Sequence, residues 1–260
     1  MAIARVAAHN PLPLGPAVQV LCYHRINAAD DGLSVMPHLF KEQMAWLAEH
    51  RRDVPAVRID DAVRSLATGV SDRRSVVVTF DDGWADAISA GLPILAEHGF
   101  PAVSYLTTDF IGSPGYASRA QILEAMSAGV EIGCHTASHP DLRTCNRAEL
   151  RVEIDDAKAD LEDRFGVPVT SFAYPTGLFD DRTISAVRAA GFRTAVTCRR
   201  AWLGPRTDPL AIPRNTMENL DAATFAAAVG GGLNYLRVVE AGRRALVTRS
   251  GPRSGRAKAA

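Results

Sequence analysis

The chain lacks net charge, lacks any cysteine pair at metal-binding spacing, and lacks an apolar run long enough to cross a bilayer. Each absence removes a class of function. Its 29 basic and 29 acidic residues cancel, so whole-chain electrostatics give no case for binding nucleic acid. Cys22, Cys134, Cys145 and Cys198 contain no Cys-x-x-Cys pair, which argues against a cysteine zinc site. Cys22, Cys134 and Cys198 fall in apolar, strand-like runs, where a buried free thiol is the default and fits a reducing compartment. No stretch approaches the roughly 20 apolar residues of a membrane span, so no transmembrane segment is expected. Residues 1–15 are interrupted by Asn10, Pro11 and Pro13 and offer no signal-peptide core. The expectation is a cytoplasmic protein. Histidine is also missing where it would be useful: of seven, none follows His139.

What is present is an ordinary globular composition, 47% hydrophobic and 22% charged over 260 residues. A chain of this length buries a sizeable core without disulfide or metal staples, so a metal here would serve chemistry before folding. Charge is unevenly spread. From Arg237 onward seven basic residues face one acid, Glu240. Such a tail is commonly a solvated terminus, and otherwise an anchor on an anionic surface such as a membrane.

Apolar runs and helical patterns alternate along the chain. Residues 17–23, 75–80, 102–107, 130–134, 170–174 and 193–198 read as buried strands. Residues 40–50, 60–68, 85–98, 119–127, 147–165, 182–190, 221–229 and 235–246 read as helices. Pro93 predicts a kink in the third of these. Asn146 with Glu149 predicts a capping box on the fifth, whose apolar face is Leu150, Ile154, Ala157 and Leu161. Repeated strand-then-helix order implies an α/β fold with a parallel sheet and right-handed crossovers, and six or seven units favour a barrel. The expected organisation is an N-terminal extension (1–16), a single barrel domain (17–218), C-terminal helices (219–248) and a basic tail (249–260).

Polar residues collect at the C-terminal ends of the strands. His24 follows the first, Asp81 and Asp82 the next, His135 a third, and Pro175, Thr176 and Gly177 a fourth. In a parallel barrel these ends share one rim, where active sites are built. Asp-Asp-Gly at a strand end can place one carboxylate on a metal and the other on a proton; an Asp there can equally be a helix N-cap. His135 and His139, four apart, can meet one metal from a tight loop. Asp82, His135 and His139 together make a two-histidine, one-carboxylate site with a position left open. That is a hydrolase arrangement for an amide or ester, with Asp81 as base.

At these motifs the chain resembles a known family. Thr79-Phe80-Asp81-Asp82-Gly83 resembles the first motif of the polysaccharide deacetylases, the NodB-type domain of carbohydrate esterase family four. His135-Thr136-x-x-His139 resembles the second, and Phe172 to Gly177 the third. Tyr23-His24-Arg25 and the helix after Phe40 resemble the branch that deacetylates secreted glucosamine polymers. The resemblance implies a distorted (β/α)7 barrel and hydrolysis of the acetamide of N-acetylglucosamine-type units in a glycan. It makes Asp81 the general base, and Asp82, His135 and His139 the ligands of a divalent metal. Zinc is the default, with Co2+, Ni2+ or Fe2+ as fits. It puts Thr176 where a backbone N–H supports an oxyanion, and it implies a glycan substrate with envelope or polysaccharide-synthesis machinery as partner.

Two departures stand out. Many family members carry a base-orienting arginine where this chain has Ala173; Arg214 is the candidate substitute. The usual late Leu-x-His that supplies the general acid is absent, and His24 is its candidate replacement. These departures motivate an alternative, a glycan-binding module of the same fold without turnover; an amidase or esterase on a non-polymer substrate is another. Trp84, Trp202 and Tyr116 are candidate sugar-stacking residues, with packing the plainer role for Trp84. Asp208 is a candidate to orient His24.

Overall fold

The structure, a computed structural model, describes residues 17–70 and 74–230. Its strands are β1 (Val18–Tyr23), β2 (Arg25–Ile26), β3 (Ser34–Val35), β4 (Ser75–Phe80), β5 (Ala102–Leu106), β6 (Glu131–Cys134), β7 (Ser171–Ala173), β8 (Thr194–Val196) and β9 (Asn215–Thr216). Seven of them form one sheet in the order β8-β7-β6-β5-β4-β1-β9, and every neighbouring pair is parallel. β2 and β3 form a small parallel pair of their own.

The sheet curls and closes through residues 209–217. The Ala195 N–H donates to Pro209 O, the Ile212 N–H to Ala195 O and the Thr197 N–H to Ile212 O, each at 2.8 Å, which ties the start of this run to β8. Its end then pairs with β1 through Leu21 with Asn215 and Cys22 with Thr216. This is the expected seven-stranded distorted barrel. The closing run escapes a pattern reading because it is only two residues of regular strand and carries Pro213.

Strand side chains alternate between two faces, and they make two cores. Val18, Val20, Val77, Val103, Tyr105, Ala173, Val196 and Ile212 fill the barrel interior, with Ile59, Ala62 and Leu66 of helix Ile59–Thr68 packed among them. Val76, Val78 and Phe80 point the other way, into the layer beneath the outer helices. The alternation along β4 therefore carries Val77, Thr79 and Asp81 inward. The Tyr105 ring occupies much of the interior, and Gly133 makes room for it: a Cβ on Gly133 would lie 2.4 Å from that ring.

Most elements fall within one or two residues of the sequence pattern, including the capping box of Asn146 and Glu149. Two long helices are interrupted by π turns, Ala87–Gly91 and Val152–Asp156. The first sits just ahead of Pro93, which has no N–H to give to the preceding turn. Helix Ala222–Val229, capped by Asp221, packs on the barrel's outer layer, with Phe225 edge-on to Trp46 at 5.9 Å. The expected helix 235–246, the basic tail and the extension 1–16 lie outside the described residues. Among the described residues no helix is long and apolar enough to cross a membrane. Replacing Gly133 with Ala should cost about 1–3 kcal/mol by overpacking against Tyr105, read as a lowered urea midpoint at unchanged m-value.

Candidate metal centre and active site

Strand register brings the predicted residues together. Tyr23 pairs with Phe80, so His24 and Asp81 step off neighbouring strands side by side. Cys134 pairs with Leu106 and Phe172, and the His135 N–H continues that ladder to Leu106 O at 2.9 Å. His135 and the third motif thus leave the sheet at the same rim as the two acids.

Asp81 is buried, 2% exposed, and Arg214 is wholly buried at 0%. Arg214 Nη1 donates to Asp81 Oδ1 and Nη2 to Asp81 Oδ2, both at 2.6 Å. Nη1 also donates to Thr79 Oγ1 at 3.1 Å, Nε to Thr197 O at 3.0 Å, and Nη2 approaches Cys198 Sγ at 3.9 Å. The rigid guanidinium fork has five donors, and each has a partner. The Thr79 hydroxyl in turn donates to Leu21 O at 2.9 Å. Burial drives the Asp81 carboxyl upward, but the charge and paired hydrogen bonds of Arg214 outweigh it and hold the carboxyl well below the usual carboxylate range. With Ala173 on β7, the guanidinium reaches Asp81 from the closing run instead, on the far side of β8.

Cys22 and Cys198 flank this pair, a feature sequence reading did not single out. Cys22 Sγ donates to Asp81 Oδ2 at 3.5 Å. The Cys198 thiol is pushed below its ordinary value by the neighbouring Cys22 thiol and by the Arg214 charge, against burial. Cys22, His24 and Asp81 also present ligand-type atoms within 4.8 Å of one another. Arg214 already occupies both Asp81 oxygens there, so the cation of that cluster is the guanidinium.

Asp82, His135 and His139 form the second cluster, with ligand atoms within 4.8 Å. Asp82 Oδ1 lies 3.4 Å from His135 Nε2 and 3.6 Å from His139 Nε2. Two ligands at about 2.05 Å from a tetrahedral ion sit about 3.3 Å apart, so the spacing suits a small divalent cation. His135 Nδ1 lies 2.7 Å from Ala173 O. A carbonyl only accepts, so Nδ1 carries the proton and Nε2 offers its lone pair toward Asp82. Burial opposes charge on both partners. Even so, a second proton, placed on His135 Nε2, would bond the Asp82 carboxylate, and that attraction holds Asp82 below and His135 above their ordinary values. His139 is pushed down by burial and by the charge of His135. The cluster attracts positive charge and has too few protons to share, as a cation site should.

Asp82 Oδ2 is held separately by Trp84 Nε1 at 3.0 Å. Trp84 stacks on Tyr116 with centroids 4.3 Å apart, and the Arg25 guanidinium sits 4.4 Å from the Trp84 ring centre. Phe110 packs on Tyr116 at 4.6 Å. Arg25 is itself anchored on Asp86 at 2.8 Å. With Arg25 and Tyr116 both on its ring, Trp84 serves as a prop for Asp82 in place of a sugar platform. Two other expectations are corrected. Leu203 bridges Val18 at the start of β1, which puts neighbouring Trp202 at the barrel end away from the site. Asp208 pairs with Arg188 at 3.6 Å, so it does not orient His24.

The third motif forms a 3-10 turn, Pro175–Gly177. Gly177 is locked in place: a Cβ there would lie 2.3 Å from Cys198 N, at φ +73°. Among the described residues, the non-glycine positions with positive φ are Asp82, Thr136, His139 and Thr176. All four lie in the three motifs. Left-handed backbone costs such residues about 1–2 kcal/mol each, and strain concentrated this way marks a functional site.

Comparison with known proteins agrees with the geometry. Residues 68–195 match the family model described as polysaccharide deacetylase. The chain is 26% identical over 200 residues to the poly-beta-1,6-N-acetyl-D-glucosamine N-deacetylase of Staphylococcus epidermidis, covering 72% of this chain and 68% of that protein. The chain belongs to the polysaccharide deacetylase family. Another relative, YxkH of Bacillus subtilis, is 26% identical over 179 residues, 68% of this chain. The chain spans 63% of that relative's length. The deacetylase PplD of Streptococcus pyogenes shares the fold, with a TM-score of 0.76 at 22% identity over 82% of this chain and 97% of that one.

For this polysaccharide deacetylase family member, Arg214→Met should leave Asp81 buried without its counter-charge. The expected loss is about 3–5 kcal/mol of unfolding free energy, measured by denaturant titration.

Proposed function

We propose that this protein hydrolyses the acetamide of N-acetylglucosamine-type units in a polysaccharide or glycan, releasing acetate. The observation that carries the reading is the pairing, on one rim, of a cation-suited cluster with a separately held carboxylate. Asp82, His135 and His139 bring their ligand atoms within 4.8 Å of one another, while Asp81 is clamped by Arg214 beside them. The Staphylococcus epidermidis relative, named for poly-beta-1,6-N-acetyl-D-glucosamine, supports that polymer as the class of substrate.

In this reading Asp82 and the two Nε2 atoms hold the cation, which is zinc by ligand type, with cobalt, nickel and iron sharing the preference. A divalent ion held there would supply Lewis-acid polarisation of the acetyl carbonyl and a water far more acidic than bulk water. Asp81 takes the proton from that water as its oxygen attacks the carbonyl carbon. Asp81 Oδ2 accepts from both Arg214 and Cys22, while Oδ1 keeps a lone pair after bonding Arg214, so the base remains available through Oδ1. Arg214 makes Asp81 a weak base, sufficient for an acidified water. The Thr176 N–H supports the oxyanion. His24 then gives a proton to the departing nitrogen as the C–N bond breaks, leaving acetate and a free amine.

Asp81→Asn should keep its cation and lose acetate release by about 100-fold or more, measured on glucosamine polymer and chitin oligomers with and without chelator. Full activity at unchanged metal content would sink the assignment of the base. Loss of His24 alone should cost about 100- to 10,000-fold in kcat. An equal loss on an acetyl ester whose leaving group needs no proton would remove His24 from the acid role.

A further inference from the structure

The loop that carries both histidines has no regular structure of its own. Thr136 and His139 lie at φ +70° and +65°, so two of its five residues are in the left-handed region. Something outside the loop must hold it. On its carbonyl side the Thr108 N–H donates to Thr136 O and the Asp109 N–H to Ala137 O, at 3.2 and 3.0 Å. On its amide side the partner is Glu153, from the outer helical layer.

Glu153 is the second residue of the π turn Val152–Asp156 and is buried. Its Oε2 accepts from the Ala137 N–H at 3.0 Å and the Ser138 N–H at 2.9 Å. Its Oε1 accepts from Ser138 Oγ at 2.6 Å. One carboxylate thus takes up the donors of the two residues immediately before His139. The remaining loop contact on that side, His139 N–H to Thr136 Oγ1 at 2.9 Å, is internal. Acids are seldom buried unless paired, and Glu153 has a full set of donors in the histidine loop. The position is three after Leu150 and four before Ala157, on the helix's buried face. A charge on an apolar face was the signal that could have found it.

We infer that Glu153 is a positioning residue for the cation site: it latches the loop so that His139 Nε2 meets Asp82 and His135 at ligand distance. The inference rests on the reading of Asp82, His135 and His139 as that site. The latch works by hydrogen-bond geometry. A glutamine can reproduce it, because its amide oxygen accepts both backbone N–H groups while its NH2 donates to Ser138 Oγ. An aspartate, one methylene shorter, cannot reach.

The test uses the full chain, stripped of metal and titrated with zinc against a chromophoric chelator, with Co2+ absorption as a spectroscopic readout of ligand geometry. Glu153→Ala and Glu153→Asp should weaken zinc binding about 10- to 100-fold and shift the cobalt bands. Glu153→Gln should stay near the wild-type affinity and spectrum. If Ala does not fold, Asp carries the test. Zinc affinity and cobalt spectrum unchanged in the Asp variant overturn the latch, and so does a Gln variant as weak as the Asp one. His139→Ala is run alongside. If it binds zinc as tightly as wild type, the cation-site reading itself fails, a different outcome from failure of Glu153.

Discussion

Everything at the rim is arranged around one buried ion pair. A carboxylate in a barrel interior is stable only if its charge is answered, since breaking such a pair costs about 3–5 kcal/mol. Arg214 answers it with two hydrogen bonds at 2.6 Å, and the barrel must then satisfy the other three guanidinium donors. Thr79 on β4 and the adjacent Thr197 and Cys198, just past β8, do so. The pair thus sets which residues can line that layer of the interior. It also keeps Asp81 from joining Asp82 as a second ligand, so two adjacent acids are separated into two jobs.

The same division of labour recurs one layer outward. Asp82 is propped by Trp84, which is held by Tyr116 and Arg25, which is held in turn by Asp86. His135 is fixed by Ala173 O. Ala173 sits at the position where the resemblance leads one to expect an arginine; here its carbonyl fixes His135 and its small side chain leaves space in the interior. Asp82 and His135 are thus each held by a contact from outside the cluster, which suits a site that must exist before its cation arrives.

How much of this was legible in the sequence depends on whether the cause was local. The β-branched run before Asp81 and the capping box at Asn146 are local patterns, and both elements formed where expected. The strand-end clustering of His24, Asp81, Asp82 and His135 was legible because a parallel barrel turns chain order into a shared rim. The closing run 209–217 was not, because its strand character comes from β8 and β1 and not from its own residues. Trp202 looked like a loop aromatic near the site, but only the Val18–Leu203 bridge shows which end of the barrel it occupies. Arg214 could be named as a candidate from the gap at Ala173; its contacts with Thr79, Thr197 and Cys198 could not.

The closing run also has a consequence for how the protein is made. Arg214 follows Asp81 by 133 residues, so a growing chain exposes the carboxylate long before its counter-ion exists. Until then Asp81 must remain hydrated, and the upper interior cannot dry out around it. The segment that zips β8 to β1 also delivers the guanidinium, so sealing the barrel and neutralising its heart are one event. A chain truncated before this seam would lack both the counter-charge of Asp81 and the strand that closes the sheet.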